Sequence, residues 1–128
     1  MEEVRVKCLI SNPLKPDTRA IEVDTLVDTG AVLPLLGRDI IDKLGIPITR
    51  KAIVTLANET SEEMEVAGPI GLEIGDRKSY FECLVGPVLA EPLLGQVVLE
   101  VLDLVVDSAR QTLAPQLESP AYPSYKLK

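Results

Sequence analysis

Histidine and tryptophan are absent from this 128-residue sequence, aromatic residues make up only 3% of it, and cysteine occurs twice. Without histidine, the Ser-His and Cys-His nucleophile pairs, the HExxH metalloproteases and most zinc sites are excluded together. Any catalysis must draw on carboxylates, Lys, Tyr, Ser or Cys. Cys8 and Cys83 lie far apart in alternating stretches without CxxC spacing, so buried free thiols are expected rather than a bridge. Basic charge is also scarce. Thirteen Lys and Arg against 20 Asp and Glu give a net charge of −7, which excludes the concentrated positive surface that nucleic acid or an anionic membrane requires. Long apolar runs are missing too. The most apolar stretch, residues 97–106, is interrupted by Glu100 and Asp103 and is far shorter than the ~20 residues of a membrane span. The beginning, MEEVRVKCLI, is acidic and alternating, so no signal peptide is expected and the expected address is cytoplasmic.

Hydrophobic residues nevertheless make up 46% of the chain. With so few aromatics the core must be built from Val, Leu and Ile, which favour the pleated surfaces of strands, and the length suits one domain. Alternation over residues 4–10 predicts a strand ended by Ser11-Asn12-Pro13, and a second strand runs over about 19–27. That strand delivers Asp28-Thr29-Gly30 to its end, where Gly30 permits a tight turn. An apolar run at 32–36 leads into a brief helix over 37–45, with Ile40, Ile41 and Leu44 on one stripe and Gly45 where a C-cap belongs. Alternation at 52–57, a polar stretch at 58–63 and an extended pattern at 64–74 predict a long hairpin with a polar tip. Gly75-Asp76 is a turn signal before a strand over about 78–85. Leu93-Leu94-Gly95 repeats the arrangement of an apolar strand running into glycine, with Val98, Leu99 and Leu102 at helical spacing behind it, so the chain reads as two similar halves. Leu104-Val105-Val106 reads as the last core strand and Asp107-Ser108-Ala109 as the turn after it. From residue 114 the chain carries three of its ten prolines and little periodicity, and a flexible tail or interface arm is expected over 116–128.

A lone Asp-Thr-Gly is a weak signal, since an Asp in a turn ordinarily bonds its own backbone. Here two apolar residues precede Asp28 and an apolar run follows, which puts a carboxylate at the edge of a buried layer, where charge is costly without a purpose. In this setting the sequence resembles the retropepsin-like aspartic proteases over residues 3–115. Leu26-Val27-Asp28-Thr29-Gly30-Ala31 is similar to the catalytic loop of that family. The string IGLEIGDRKSYFECLVGP at 70–87 is similar to the strands leading to its second half, and Leu93-Leu94-Gly95 to the apolar-apolar-Gly signature before the short C-terminal helix. The motif PLLG occurs twice, at 34–37 and 92–95, and only the second has the right separation from Asp28.

The resemblance implies an all-β, closed-barrel-like fold with one or two short helices and pseudo-two-fold halves, in a domain over residues 1–115. It also implies a homodimeric endopeptidase in which Asp28 of each subunit forms a carboxylate pair that activates water against an extended peptide substrate, with no metal and no organic cofactor. Thr29 would lock the two loops across the dimer axis and Gly30 would let substrate backbone approach. Ala31 has no hydroxyl to donate to the carboxylates, which favours activity at mild acidity. The flap that covers substrate falls at Ala57, Asn58, Glu59 and Thr60. Two positions depart from the family pattern: Val32, commonly acidic or hydroxylated, and Gln96, commonly Arg in retroviral members. With that pair replaced, the loop is expected to be held by apolar packing. The alternative is a catalytically silent dimerisation or peptide-binding module on the same scaffold.

Overall fold

The computed structural model describes residues 3–116. Alternation sets the strands. β1 (Arg5–Ser11) and β2 (Ile21–Val27) bury Cys8, Ile10, Val23 and Thr25 while the residues between them point outward, and the two pair antiparallel from Arg5 opposite Leu26 to Ile10 opposite Ile21. After β1 the chain turns at Asn12, a buried polar side chain. Its Nδ2 donates to the carbonyls of Leu44 at 2.9 Å and Gly45 at 3.1 Å, and its Oδ1 accepts the Leu14 amide, so its burial leaves no polar atom unpaired.

β3 (Leu35–Gly37) runs directly into α1 (Arg38–Leu44), and Gly45, at φ 66°, closes the helix in the left-handed conformation as its position predicts. β4 (Ile48–Thr55) and β5 (Ser61–Ile74) form the long hairpin, and Gly75 at φ 59° turns the chain into β6 (Arg77–Gly86). β7 (Leu93–Leu94) leads into α2 (Gln96–Val101), followed by the small hairpin of β8 (Leu104–Asp107) and β9 (Thr112–Pro115). Arg77 donates Nη1 to the Leu102 carbonyl at 2.6 Å, satisfying an otherwise open acceptor at the end of α2.

The sheet runs in the order β1-β2-β7-β3-β6-β5, and β1 pairs back onto β5, so six strands close into a mixed barrel with β4 outside it on β5. The expected all-β, closed-barrel fold with short helices is what the chain adopts. Its core is aliphatic, with Ile10, Leu36, Ile41, Leu44, Ile70, Leu72, Leu94 and Val98 among the fully enclosed side chains.

The halves repeat in detail. Leu35 and Leu93 face each other at the contact of β3 and β7. β3 lies parallel to β6, with Leu35, Leu36 and Gly37 opposite Leu84, Val85 and Gly86. β7 lies parallel to β2, with Leu93 and Leu94 opposite Leu26 and Val27. The Leu84 amide donates to the Pro34 carbonyl at 2.8 Å, and the Leu26 amide donates to the Pro92 carbonyl at 2.9 Å. Both PLLG segments therefore do the same local work, and only the second lies beside the strand that carries Asp28. The glycines are needed for closeness. A Cβ on Gly95 would overlap the Val32 carbonyl oxygen and lie 2.6 Å from the Leu33 carbonyl carbon, while one on Gly37 would lie 3.0 Å from the Pro87 carbonyl oxygen.

Three differences from the sequence reading have physical causes. β4 begins at Ile48 and β5 at Ser61, so the turn is confined to 56–60, because residues 48–51 and 61–63 are exposed and held by the ladder without burial, which leaves no alternation to read there. Cross-strand charges such as Lys51 and Glu63 at 3.4 Å stand on it instead of core residues. Ala114 and Pro115 belong to β9 rather than to a tail. The remainder of the proposed tail, residues 117–128, lies outside the described residues.

Two predictions follow from this packing. Because backbone atoms surround Gly95, Gly95→Ala should destabilise the domain by about 1–3 kcal/mol, read as a lower midpoint in urea, whereas Gly75→Asn, in open space at a turn, should change it little. Burial pushes the Cys8 thiol up to about 11, and burial together with the Glu82 charge pushes Cys83 up to about 12, from an ordinary 9.0. The thiols are thus neutral at pH 8 in the folded chain and ionise more readily when it unfolds. Labelling by a disulfide reagent at pH 8 should be at least about 100-fold slower in the native protein than in urea. Since folding raises both values, their contribution to stability is complete below pH 9 and is lost as pH rises through 11 to 12.

Candidate active site

β2 hands the chain to Asp28 at the centre of the barrel wall. The Asp28 amide donates to the Leu94 carbonyl at 2.9 Å, extending the β2–β7 ladder by one bond. The Ala31 amide then donates to the Asp28 carbonyl at 3.1 Å, and the Gly30 amide donates to Asp28 Oδ1 at 3.0 Å. Beyond the turn, the first amides of α2 reach back: Gln96 donates to the Ala31 carbonyl at 2.8 Å and Val97 to the Val32 carbonyl at 3.1 Å. These helix amides have no partner inside their own helix, and the loop supplies it. The loop is therefore held on both sides by backbone bonds. Beside the expected apolar packing, the loop thus has a backbone brace, and the Val32 side chain, 71% exposed, adds little to it.

Asp28 is half-buried in the single chain, Ala31 likewise, and Thr29 and Gly30 are exposed. One carboxylate oxygen of Asp28 takes the Gly30 amide. Among the described residues the Thr29 hydroxyl makes no hydrogen bond within the chain, so it is free to meet a group from outside. Arg5, at the start of β1, reaches Glu91 at 2.7 Å, just ahead of Pro92, and that bond holds its guanidinium more firmly protonated than usual. The pair ties the entry of β7 to the strand beside β2. Both members are largely exposed, so it orients more than it stabilises.

Asp28 opens onto a cleft of about 700 Å³ between the barrel wall and the long hairpin. Leu33, Leu35, Leu84 and Leu93 form its floor and Ala52, Val54, Leu56 and Met64 its cover; Asp28 and Thr55 bring the only ionisable or hydroxyl side chains among its lining residues. Of the residues expected at the flap, Ala57 lines this cleft. Asn58, Glu59 and Thr60 build the turn instead: Asn58 Oδ1 accepts from the Thr60 amide at 3.2 Å and the Thr60 hydroxyl at 2.6 Å, while Glu59 stands at φ 67°. Of the second-half motif, Leu93 lines the cleft, Leu94 is enclosed in the core and Gly95 packs beneath the loop. Sequence reasoning did not single out the cover residues Ala52, Val54 and Met64, although the alternation of β4 places Ala52 and Val54 on one face. A second opening, of about 630 Å³, lies on the other side of Asp28 and Thr29, bounded by Val4, Leu26, Val106 and Ser108. Among the described residues no group of three or more Asp, Glu, Cys or His is placed to hold a metal ion, and no helix is long and apolar enough to cross a membrane.

No family model matches the chain, and no curated protein matches it by sequence. Solved structures do. The protease of EIAV, in complex with the inhibitor HBY-793, is similar over 79% of this chain and 88% of its own, with a TM-score of 0.57 at 21% identity. A retropepsin-like aspartic protease from Rickettsia conorii is similar over 77% of this chain and 69% of its own, with a TM-score of 0.51 at 20% identity. The closed barrel, its repeated halves and these two likenesses together give the chain the retropepsin-like fold.

Proposed function

We propose that the chain is an aspartic endopeptidase that works as a homodimer, each subunit giving one Asp28. The observation that carries this reading is an asymmetry inside the symmetric barrel. By the register of the two halves, the place equivalent to Asp28 is held by Gly86, which follows Leu84-Val85 as Asp28 follows Leu26-Val27. One chain therefore offers a single carboxylate at a position built twice, and the exposed Thr29 and Gly30 beside it leave room for a second copy.

Two carboxylates brought to about 3 Å cannot both ionise and share one proton. The ionised member takes a proton from a water held between them, while the protonated member donates to the scissile carbonyl. The result is a tetrahedral intermediate without an acyl-enzyme. Thr29 would bond across the two-fold axis. Gly30, already donating to Asp28, keeps the carboxylate turned toward the cleft and lets substrate backbone come close. The apolar floor and hairpin cover suit an extended peptide with aliphatic or aromatic side chains at the cut. Asn58, Glu59 and Thr60 form the tip of the cover, with Ala57 as its contact. A cytoplasmic setting belongs to this reading, supported by two buried thiols that are not bridged. The exposed Val32, where no side chain pairs with Gln96, favours the second reading, a silent peptide-binding or dimerisation module.

Asp28→Asn should lower cleavage of an unstructured protein, assayed between about pH 3 and 7, by at least about 100-fold while leaving the circular dichroism spectrum unchanged. Undiminished cleavage by the pure variant would assign the chemistry elsewhere, and a wild-type chain that binds a statine-type peptide without cutting any substrate would favour the silent module. Assembly should also depend on pH. Where the free Asp28 carboxylates are ionised, forming the pair takes up a proton. The pair's contribution to the dimer is therefore complete at low pH and declines as pH rises, with the dissociation constant increasing by up to about tenfold per pH unit. Sedimentation equilibrium should show that slope in the wild type and its loss in Asp28→Asn; equal slopes would mean that the two side chains do not meet.

A further inference from the structure

By register, Gly86 stands where Asp28 stands in the other half, so the turn after it, residues 87–91, is the counterpart of the active-site loop. The two are held differently. The loop at Asp28 receives the first amides of α2, whereas side chains hold the 87–91 turn: Asp39, in the first turn of α1, accepts the Leu89 amide on Oδ1 at 2.9 Å, and Arg5 reaches Glu91 at 2.7 Å. The Ala90 amide donates to the Pro87 carbonyl at 3.0 Å and closes a turn with Leu89 at its third position, at φ 65°. That position favours Gly or Asn, because a bulkier side chain there crowds its own backbone. Leu89 is 83% exposed, so packing does nothing to offset the strain. The bond from Asp39 is what holds the conformation.

This turn meets the cleft at two points. A Cβ on Gly86 would lie 2.9 Å from the Ala90 Cβ and 3.0 Å from Leu35 Cδ2, so the turn and the cleft floor close over the same glycine. Two residues after Glu91 comes Leu93, which faces Leu35 in that floor. We propose that Asp39 is a positioning residue for the cleft: its carboxylate keeps the 87–91 turn in its left-handed bend, and that turn sets Leu35 and Leu93 in the floor. This rests on the endopeptidase reading of Asp28 and adds a residue that governs substrate binding without touching substrate. An acid in the first turn of a helix ordinarily serves that helix alone. Here the carboxylate takes an amide from another element, 50 positions along the chain. Gly37 leaves the room for it, since a Cβ there would run into Asp39 Oδ1 and lie 3.2 Å from the Ala90 nitrogen.

Steady-state kinetics on a peptide spanning a site cut in an unstructured protein separate the two roles. Asp39→Ala should raise KM by about fivefold or more while kcat stays within about twofold, because the floor shifts and the Asp28 loop, held by α2, does not. Asp39→Asn, whose amide oxygen still accepts the Leu89 hydrogen, should recover most of that loss. Leu89→Gly should rescue Asp39→Ala, since glycine takes φ 65° without an acceptor to hold it. Asp42→Ala, which removes an exposed acid farther along α1, should leave KM as in the wild type. An unchanged KM in Asp39→Ala, or a loss that neither Asp39→Asn nor Leu89→Gly relieves, overturns the positioning role and leaves the Asp28 chemistry standing. A wild type that binds a statine-type peptide without cutting overturns the endopeptidase reading instead, and the same ordering of dissociation constants by calorimetry then decides the role of Asp39. A chain that neither cuts nor binds overturns both.

Discussion

A single hydrogen bond, from the Asp28 amide to the Leu94 carbonyl, marks where the two halves of this barrel cross. It can form only because β7 lies parallel to β2 and because Gly95 has no side chain to hold Val32 and Leu33 away. On one side of that bond Leu94 is fully enclosed, which fixes the register from within the core. On the other side the amides of Gln96 and Val97 find acceptors in the loop, so α2 and the loop satisfy each other. The position of one carboxylate is therefore a consequence of packing in the centre of the domain. A change at Gly95 reaches Asp28 without touching it.

The same crossing explains how the loop is held without a side-chain pair between Val32 and Gln96. No side-chain bond joins Val32 to Gln96, and the turn is braced by backbone bonds together with the Gly30 amide on Asp28 Oδ1. A neutral hydrogen bond contributes about 1 kcal/mol net, but leaving an enclosed donor unmade costs more, so the network is cooperative in the sense that each bond protects the others. The cleft beside it needs little from charge. Its lining is aliphatic, and its specificity is expected to come from shape and burial.

Much of the barrel was legible because its strands are half-buried. Cys8 and Ile10 alternate with Lys7 and Leu9, Gly45 stops a helix whose stripe is Ile41 and Leu44, and Gly75-Asp76 turns a hairpin. The Asp28 loop was legible from its apolar flanks, and the doubled PLLG announced the repeat. What escaped was held by backbone alone. The ends of the β4–β5 hairpin at 48–51 and 61–63 are exposed on both faces, β9 is four residues long, and the brace on Ala31 and Val32 is made of amides and carbonyls that every sequence possesses. The absence of a second carboxylate was readable only once the register equated Gly86 with Asp28, because that equivalence depends on parallel pairings between strands far apart in the chain.

The central claim is that one working site takes two chains. Titration calorimetry with a statine-type peptide, whose hydroxyl takes the place of the attacked water, counts chains per site directly. The account predicts saturation at one peptide for every two chains, and no such binding by Asp28→Asn. Saturation at one peptide per chain, by a protein that remains monomeric while bound, would contradict it.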